Sequence, residues 1–298
     1  MSKVSKFIIF TFVASFLVCI GISGDMMREG AGNMMSASFG LRINMMMPAI
    51  GALIAGAKIK QMGWKPDISS NKKYILLAWL MPTVFEITGA AVYYMVFRED
   101  LASSGIFLRD IDQHVYDELQ KTGGSYAWYV IKEIFFSLTS YMSFASVLFA
   151  FGEEIGWRGF LFPELKERFG RTKGRILGGV LHGIWHFPLI IIAGYEYGRH
   201  YIGAPVLGPL VFTLFCVATG IIMDHLYERS ESIWLPAIFH GMTNVTISSA
   251  IVRAPGHLER VILGPMDIGL IAMIPLICAA VLITYIENKR EKMEFEDF

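Results

Sequence analysis

The sequence predicts an all-α polytopic membrane protein, a bundle of about eight transmembrane helices forming a single transmembrane domain over residues 1–298. Hydrophobic residues make up 54% of the chain and charged residues only 17%, whereas soluble domains are about 25% charged. Apolar runs close to the ~20 residues that cross a bilayer recur along the chain. The lipid bilayer is therefore a predicted partner. A formal net charge of +0 argues against a nucleic-acid partner, because phosphate binding requires a basic excess.

Eight apolar runs are the predicted spans. They cover approximately residues 7–23, 34–57, 74–97, 126–151, 176–193, 204–226, 233–252 and 267–286. The first run follows Lys3 and Lys6 and could be a cleavable signal peptide. Its length favours a spanning helix, since the apolar part of a signal usually has about 7–15 residues. Residues 160–169 mix apolar and charged side chains and predict a short helix at the membrane interface.

The distribution of basic residues predicts the orientation in the membrane. With the N-terminus inside, 17 of the 26 Lys and Arg residues fall in cytoplasmic segments and seven in external ones. The positive-inside rule then places both termini in the cytoplasm, together with residues 58–73 and 158–175, and places residues 98–125 outside. We expect a multi-pass protein of the cell membrane.

The three cysteines give no sign of a disulfide framework. Cys19, Cys216 and Cys278 all lie inside apolar runs, so we expect them to be packing residues. None of them adjoins a histidine in the sequence, and no GxSxG motif is present. The residues therefore disfavour a serine or cysteine nucleophile.

Two adjacent glutamates follow the fourth apolar run. Glu153 and Glu154 lie at the edge of hydrocarbon, where an ionised carboxylate costs several kcal/mol unless it is paired or faces a wet cavity. In a continuous helix, Glu154 and Arg158 stand at i and i+4 on one face, which suits a charge-assisted bond. Glu153 points about 100° away and lacks that partner. We therefore expect Glu154 and Arg158 to pair and Glu153 to act as a general base.

Polar residues inside two later runs share helix faces. His182 and His186 stand at i and i+4 in the fifth run, and His240 and Asn244 have the same spacing in the seventh. His186 and His240 would lie roughly 10 to 15 Å inside spans entered from the cytoplasmic side, at a depth that agrees with Glu153. A glutamate base, imidazoles that donate to an oxyanion and an amide that positions water or a carbonyl form a plausible hydrolytic set.

Metal chemistry stays open at this point. The HxxxH pair is similar to part of an HExxH zinc site, but Gly183 stands where that motif has its glutamate. Glu153 with His186 and His240 could supply two histidines and one carboxylate to a divalent metal such as Zn²⁺, whereas oxyanion donation requires no metal. Haem ligation by paired histidines would leave the adjacent glutamates and Arg158 unexplained.

These residues resemble the motifs of the CPBP intramembrane proteases, the group of CAAX prenyl endopeptidases and Abi proteins. The three motifs of that family are EExxxR, FxxxH and HxxxN. The matching residues, in order, are Glu153, Glu154 and Arg158; His186; and His240 with Asn244. They occupy less than a third of the chain, within a family core at about residues 126–252.

The resemblance implies an eight-helix bundle with a membrane-embedded cavity open to the cytoplasm, and a peptidase of the metalloprotease or metal-free kind. In such a protein the first glutamate, Glu153, would activate water for peptide hydrolysis, beside Glu154. His186 would assist the base or the oxyanion, and His240 with Asn244 would stabilise the tetrahedral intermediate. The implied substrate is a peptide or protein that is membrane-associated, prenylated or of leader type.

One position departs from the family pattern. His182 stands where the family usually has Phe or Trp, so the resemblance carries no catalytic role over to it. We expect it to line the path to Glu153 near the cytoplasmic entrance, with a metal ligand or a core residue as the alternatives. The alternative function is a non-catalytic membrane scaffold or immunity factor that binds a peptide in the same cavity. An unpaired acid beside two imidazoles favours the protease, since a binding protein has no need of that combination.

Overall fold

Helices account for the regular structure of the computed structural model. It describes residues 1–26, 31–101, 113–245 and 257–296, and no strand occurs in these ranges. A membrane-buried backbone must satisfy its hydrogen bonds within one segment, which favours helices. The α-helices in these ranges are α1 (Lys3–Met26), α2 (Ala31–Ile54), α3 (Ile68–Val96), α4 (Gln113–Thr122), α5 (Tyr126–Thr139), α6 (Tyr141–Gly156), α7 (Phe162–Phe169), α8 (Arg171–Trp185), α9 (Leu207–Ser230), α10 (Trp234–Thr243) and α11 (Ile274–Glu296).

The predicted fold class is confirmed. Five helices in the described ranges are long and apolar enough to cross a membrane: α1, α2, α3, α9, and α8 with its continuation to Ala193. The bent pair α5 and α6 raises the number to six if it forms one span. These helices match the first six predicted spans, while the count of eight stays a prediction.

The last two predicted spans differ most from the structure. α10 is only 10 residues long, and residues 246–252 of the predicted seventh span lie outside the described residues. The eighth span was predicted to begin at residue 267, but residues 264–273 form bends and turns before α11. Pro275 lies in the first turn of α11, where proline is tolerated because the N–H that it lacks would have no partner within the helix.

The predicted fourth span is broken rather than straight. α5 and α6 meet at Ser140 with a bend of 49°. Around the break, the Ser143 hydroxyl donates to the Ser137 carbonyl, and Trp79 Nε1 donates to the Leu138 carbonyl at 3.0 Å. These bonds satisfy carbonyl groups that an interrupted helix leaves without intrahelical partners.

The helix with the two glutamates continues beyond Gly156. Residues Trp157–Leu161 form a π-helical turn, and α7 follows without a break. The short helix predicted at residues 160–169 is therefore present as α7, but its inner face, with Phe162 and Leu165, is buried in the protein. Its location at the membrane interface stays a prediction. π-helical turns inside α-helices are frequent at functional sites.

α6 packs closely on α2 through two glycines. A Cβ at Gly152 would lie 2.5 Å from the Met45 carbonyl oxygen, and one at Gly156 would lie 2.6 Å from the Pro48 carbonyl carbon. Neither position has room for a side chain. Close backbone contact at small residues is a common means of helix association in membranes. The glycines before and after the glutamate pair therefore allow α2 to lie directly against this part of α6.

Gly241 makes a similar contact between α10 and α6, and its replacement tests the packing. A Cβ there would lie 2.5 Å from Val147 Cα. We expect Gly241→Ala to destabilise the protein by about 1–3 kcal/mol, the usual cost of overpacking. The matched control is Gly21→Ala on α1, where nothing lies within 4 Å and alanine favours the helix. Equal melting temperatures of the two variants in detergent would contradict this contact.

A buried ionic network joins α7, α8, α9 and α11. Arg175 Nε donates to Asp224 Oδ2 at 2.6 Å, and Arg175 Nη1 donates to Glu287. Lys166 Nζ contacts both Asp224 carboxylate oxygens at 2.8 Å. Arg175, Asp224 and Glu287 are at most 3% exposed, and buried charges need such partners. The network holds α8 against α9, and no pattern in the sequence predicted it.

Candidate active site

Glu153 and Glu154 lie in different environments although they are neighbours on α6. Glu153 lines a cavity of about 330 Å³. Glu154 is 0% exposed, and the wall of the cavity does not include it. Successive helical residues point about 100° apart, which accounts for this separation. Of the two carboxylates, Glu153 is therefore the one that a molecule in the cavity would meet.

Glu154 forms the predicted ion pair with Arg158. Arg158 Nη1 donates to Glu154 Oε1 at 2.9 Å, and both side chains are 0% exposed. His240 Nδ1 lies 2.7 Å from the same oxygen, so Glu154 also connects α10 to α6. The Arg158 guanidinium lies over the Phe162 ring, 4.8 Å from its centroid. This arrangement fixes His240 in place, because a buried carboxylate holds its hydrogen-bond donors strongly.

His182 is the hydrogen-bond partner of Glu153. Its Nε2 lies 3.0 Å from Glu153 Oε2, and its ring packs against Trp157 with centroids 4.7 Å apart. His182 lines the cavity as expected. The hydrogen bond between His182 and Glu153 was not predicted from the sequence, which only placed His182 on the path to Glu153. A neutral His182 donates its Nε2–H to an ionised Glu153.

His186 stands where α8 is interrupted. Pro188 lacks an N–H, so it cannot donate the hydrogen bond that a regular helix would form there, and the chain continues as a π-helical segment over Leu189–Ala193. His186 Nδ1 lies 3.1 Å from the His182 carbonyl oxygen. A carbonyl only accepts, so Nδ1 carries the proton and Nε2 of the neutral ring has a free lone pair. Neutral His186 is therefore an acceptor or a ligand at Nε2.

His240 and Asn244 lie at the end of α10. Asn244 directly follows Thr243, and its backbone N–H donates to the His240 carbonyl at 3.1 Å. Both side chains line the cavity together with Glu153 and His186. The structure thus brings four of the five residues expected to be catalytic to one cavity, and the fifth, Glu154, lies behind them bonded to His240. Their roles in a reaction stay predictions.

Other polar residues in the cavity wall were not predicted as part of the site. They include Asn44, Glu86, Glu196, Cys216 and Asp267. Asn44 is 1% exposed, and its Oδ1 has no hydrogen-bond partner in the described part of the chain. A polar residue inside an apolar run could have indicated Asn44 and Glu86. Glu196 and Asp267 lie in connecting segments, where the sequence carries no comparable signal.

The side chains whose possible metal-ligand atoms lie close together in the structure are not the three that the sequence suggested as ligands. The three suggested by the sequence were Glu153, His186 and His240. Within the described ranges, the His, Cys, Asp and Glu side chains whose ligand atoms all lie within 4.8 Å of one another are His182, His186 and Cys216. Cys216 belongs to the hydrophobic core as predicted, and it also lines the cavity.

The central part of the chain is similar to known proteins. Residues 134–246 match the family model described as type II CAAX prenyl endopeptidase Rce1-like. CAAX prenyl protease 2 of Methanococcus maripaludis is 35% identical over 103 residues, which are 34% of this chain and 38% of that protein. The chain thus spans well under half the length of this relative. The family match lies inside the core predicted at residues 126–252 and contains every motif residue from Glu153 to Asn244. Over residues 134–246, the chain is therefore similar to the CPBP family of membrane proteases.

Proposed function

We propose that this chain is an intramembrane endopeptidase in which Glu153 activates water. The observation that supports this most strongly is the position of Glu153, which lines the same cavity as His186, His240 and Asn244, whereas its neighbour Glu154 is engaged by Arg158 and His240. The family match adds weight, because its description names an endopeptidase.

Hydrolysis by this set proceeds in two proton transfers. Glu153 takes a proton from a water molecule while the water oxygen bonds to the scissile carbonyl carbon, which gives a tetrahedral oxyanion. The same proton then passes from Glu153 to the leaving nitrogen as the C–N bond breaks. The products are an amine and a carboxylic acid, and Glu153 returns to its ionised form.

Donors to the oxyanion come from the wall formed by the end of α10. The Asn244 amide can donate, and so can His240 from Nε2 when its ring is protonated. Glu154 stabilises that imidazolium through its bond to Nδ1. His186 has a different role in this proposal, because its neutral Nε2 is an acceptor. It orients the attacking water beside Glu153.

The proposed substrates are membrane-associated proteins, either prenylated at a CAAX sequence or carrying a leader-type segment. The relative and the family model are both named for CAAX prenyl substrates. The cavity suits a partly apolar chain, because apolar side chains form much of its wall. They include Leu41, Met45, Leu189, Phe212, Phe215 and Met223.

The function is tested by comparing membranes that carry the wild-type protein with membranes that carry Glu153→Gln. Proteomics that enriches protein termini should find new termini that depend on Glu153. The alternative, a non-catalytic scaffold or immunity factor, predicts identical termini in both membranes and a peptide that co-purifies with both proteins.

We further propose a location in the cell membrane with both termini in the cytoplasm, which predicts opposite accessibility of two exposed sites. Ser70 on α3 and Gln120 on α4 are both exposed. The excess of basic residues at 58–73 places Ser70 inside, and Gln120 belongs to the segment 98–125 placed outside. A membrane-impermeant maleimide added to intact cells should label Gln120→Cys, while Ser70→Cys should react only after the membrane is opened.

The native cysteines determine how much background labelling the maleimide gives. Cys278 is exposed and must be replaced by serine, whereas Cys19 and Cys216 are buried. The Cys278→Ser protein without a new cysteine is the control and should stay unlabelled in intact cells. Labelling of both introduced cysteines from one side would overturn the orientation.

A further inference from the structure

We propose that His182, His186 and Cys216 form a binding site for one transition-metal ion, best matched to Zn²⁺, directly beside Glu153. One ligand atom from each of these side chains lies within 4.8 Å of the other two. The three residues are 4%, 8% and 2% exposed, so they are buried and do not form a loose surface cluster.

Close packing of α8 on α9 brings the three residues together. His182 lies in the last turn of α8, His186 directly follows the end of that helix, and Cys216 lies on α9. Between the helices, a Cβ at Gly183 would lie 2.6 Å from Thr213 Cα. Because glycine allows this approach, the histidines and the thiol are held by two helix backbones in contact. Little rearrangement is needed to close the ligand set.

The hydrogen bonds of both imidazoles match those of metal-bound histidines. Such a histidine usually donates one ring N–H to a carboxylate or a backbone carbonyl, which orients the other nitrogen toward the metal. His186 Nδ1 is bonded to the His182 carbonyl, which leaves Nε2 available. His182 Nε2 is bonded to Glu153, and its buried Nδ1 has no partner among the described residues. Each ring thus has one engaged and one available nitrogen.

The ligand types select the class of ion. Two imidazoles and a thiolate suit Zn²⁺ and related transition metals, whereas Mg²⁺ and Ca²⁺ prefer oxygen ligands. Zn–S bonds of about 2.3 Å and Zn–N bonds of about 2.0 Å place tetrahedral ligand atoms roughly 3.3–3.6 Å apart. The three atoms would therefore move inward by about 1 Å. The Cys216 thiol loses its proton on binding, and a cavity water or Glu153 completes the coordination.

Metal binding should inhibit the proposed hydrolysis. A divalent ion with one thiolate adds a net positive charge beside Glu153, and this charge weakens Glu153 as a proton acceptor. The ion also occupies the space that the attacking water needs. This consequence rests on the proposed function, whereas the binding itself does not.

Binding is measured on the full-length protein in detergent after treatment with a chelator. Titration with Co²⁺ should produce a near-ultraviolet thiolate-to-cobalt absorption band that saturates at one equivalent, and Zn²⁺ should displace the cobalt. Cys216→Ser should abolish the band, and His182→Phe should weaken Zn²⁺ binding by at least about tenfold.

The matched control is Cys278→Ser, which removes a thiol from α11 and should leave the titration unchanged. A band that persists in Cys216→Ser, or a Zn²⁺ affinity equal to wild type in both site variants, would overturn the proposal. If a variant fails to fold, the wild-type protein still provides a test by alkylation in partly denaturing detergent. There, Zn²⁺ should protect Cys216 and not Cys278, and equal alkylation of both would count against the site.

An activity assay separates the two proposals. Inhibition by Zn²⁺, expressed relative to the metal-free rate of the same protein, should be at least about tenfold weaker in His182→Phe, in line with its weaker binding. If cobalt and zinc bind as expected but the wild-type protein cleaves no substrate, the metal site stands and the proposed function fails. If hydrolysis is present but no thiolate band appears, the function stands and the metal site fails.

Discussion

Glu153→Gln is expected to lower the rate of peptide hydrolysis by about 10²- to 10⁴-fold, the usual contribution of a general base. Glutamine has nearly the same shape, but its amide cannot take the proton from water. The protein should remain folded, because Glu153 lies at a cavity wall and the glutamine amide oxygen can still accept the hydrogen bond from His182 Nε2–H. The measurement is cleavage of a membrane-reconstituted substrate, together with the melting temperature in detergent.

The control for this change is Glu167→Gln on α7. Glu167 is exposed and carries the same charge on the continuation of the same helix. We expect wild-type turnover and stability from it. Turnover of the Glu153→Gln protein within a few fold of wild type would show that Glu153 is not the base. A large loss of stability in that protein would instead make the lost activity uninformative.

Arg158→Ala is expected to destabilise the protein by about 3–5 kcal/mol, because it leaves the buried Glu154 carboxylate without its charge partner. Glu154 also holds His240, so hydrolysis should fall together with stability. Glu154→Gln should have a similar effect, since it leaves the Arg158 guanidinium uncompensated. Chemical or thermal unfolding in detergent measures both changes.

Two further variants, a control and a double variant, make this test more specific. Arg168→Ala removes an exposed arginine from α7 and should change stability by less than about 0.5 kcal/mol. The double variant Glu154→Gln with Arg158→Met removes both charges, so its loss should be smaller than the sum of the two single losses. A fully stable Arg158→Ala protein, or strictly additive losses, would contradict the pairing seen in the structure.

The parts of the site that lie within one helix could be predicted from the sequence. The spacing of Glu154 and Arg158 predicted their ion pair, and the next-door position of Glu153 predicted its separate orientation. Both follow from helix periodicity alone. The first six spans followed in the same way from the length of apolar runs that a bilayer requires. The break at Ser140 could not be predicted in this way. It depends on contacts such as the hydrogen bond from Trp79 to the Leu138 carbonyl, two residues that lie 59 positions apart in the sequence.

Contacts between helices were decided only by the tertiary structure. His182 bonds to Glu153 across 29 residues and His240 to Glu154 across 86, and the place of Cys216 beside the histidines depends on how α8 packs on α9. These contacts are set by the rotation of each helix about its axis and by how closely the backbones approach. Glycines such as Gly183 permit that approach, but a periodic pattern does not reveal which helix will fill the space. The sequence alone therefore determined the kind of fold, the local glutamate–arginine pair and most of the residues of the site, while packing determined their partners.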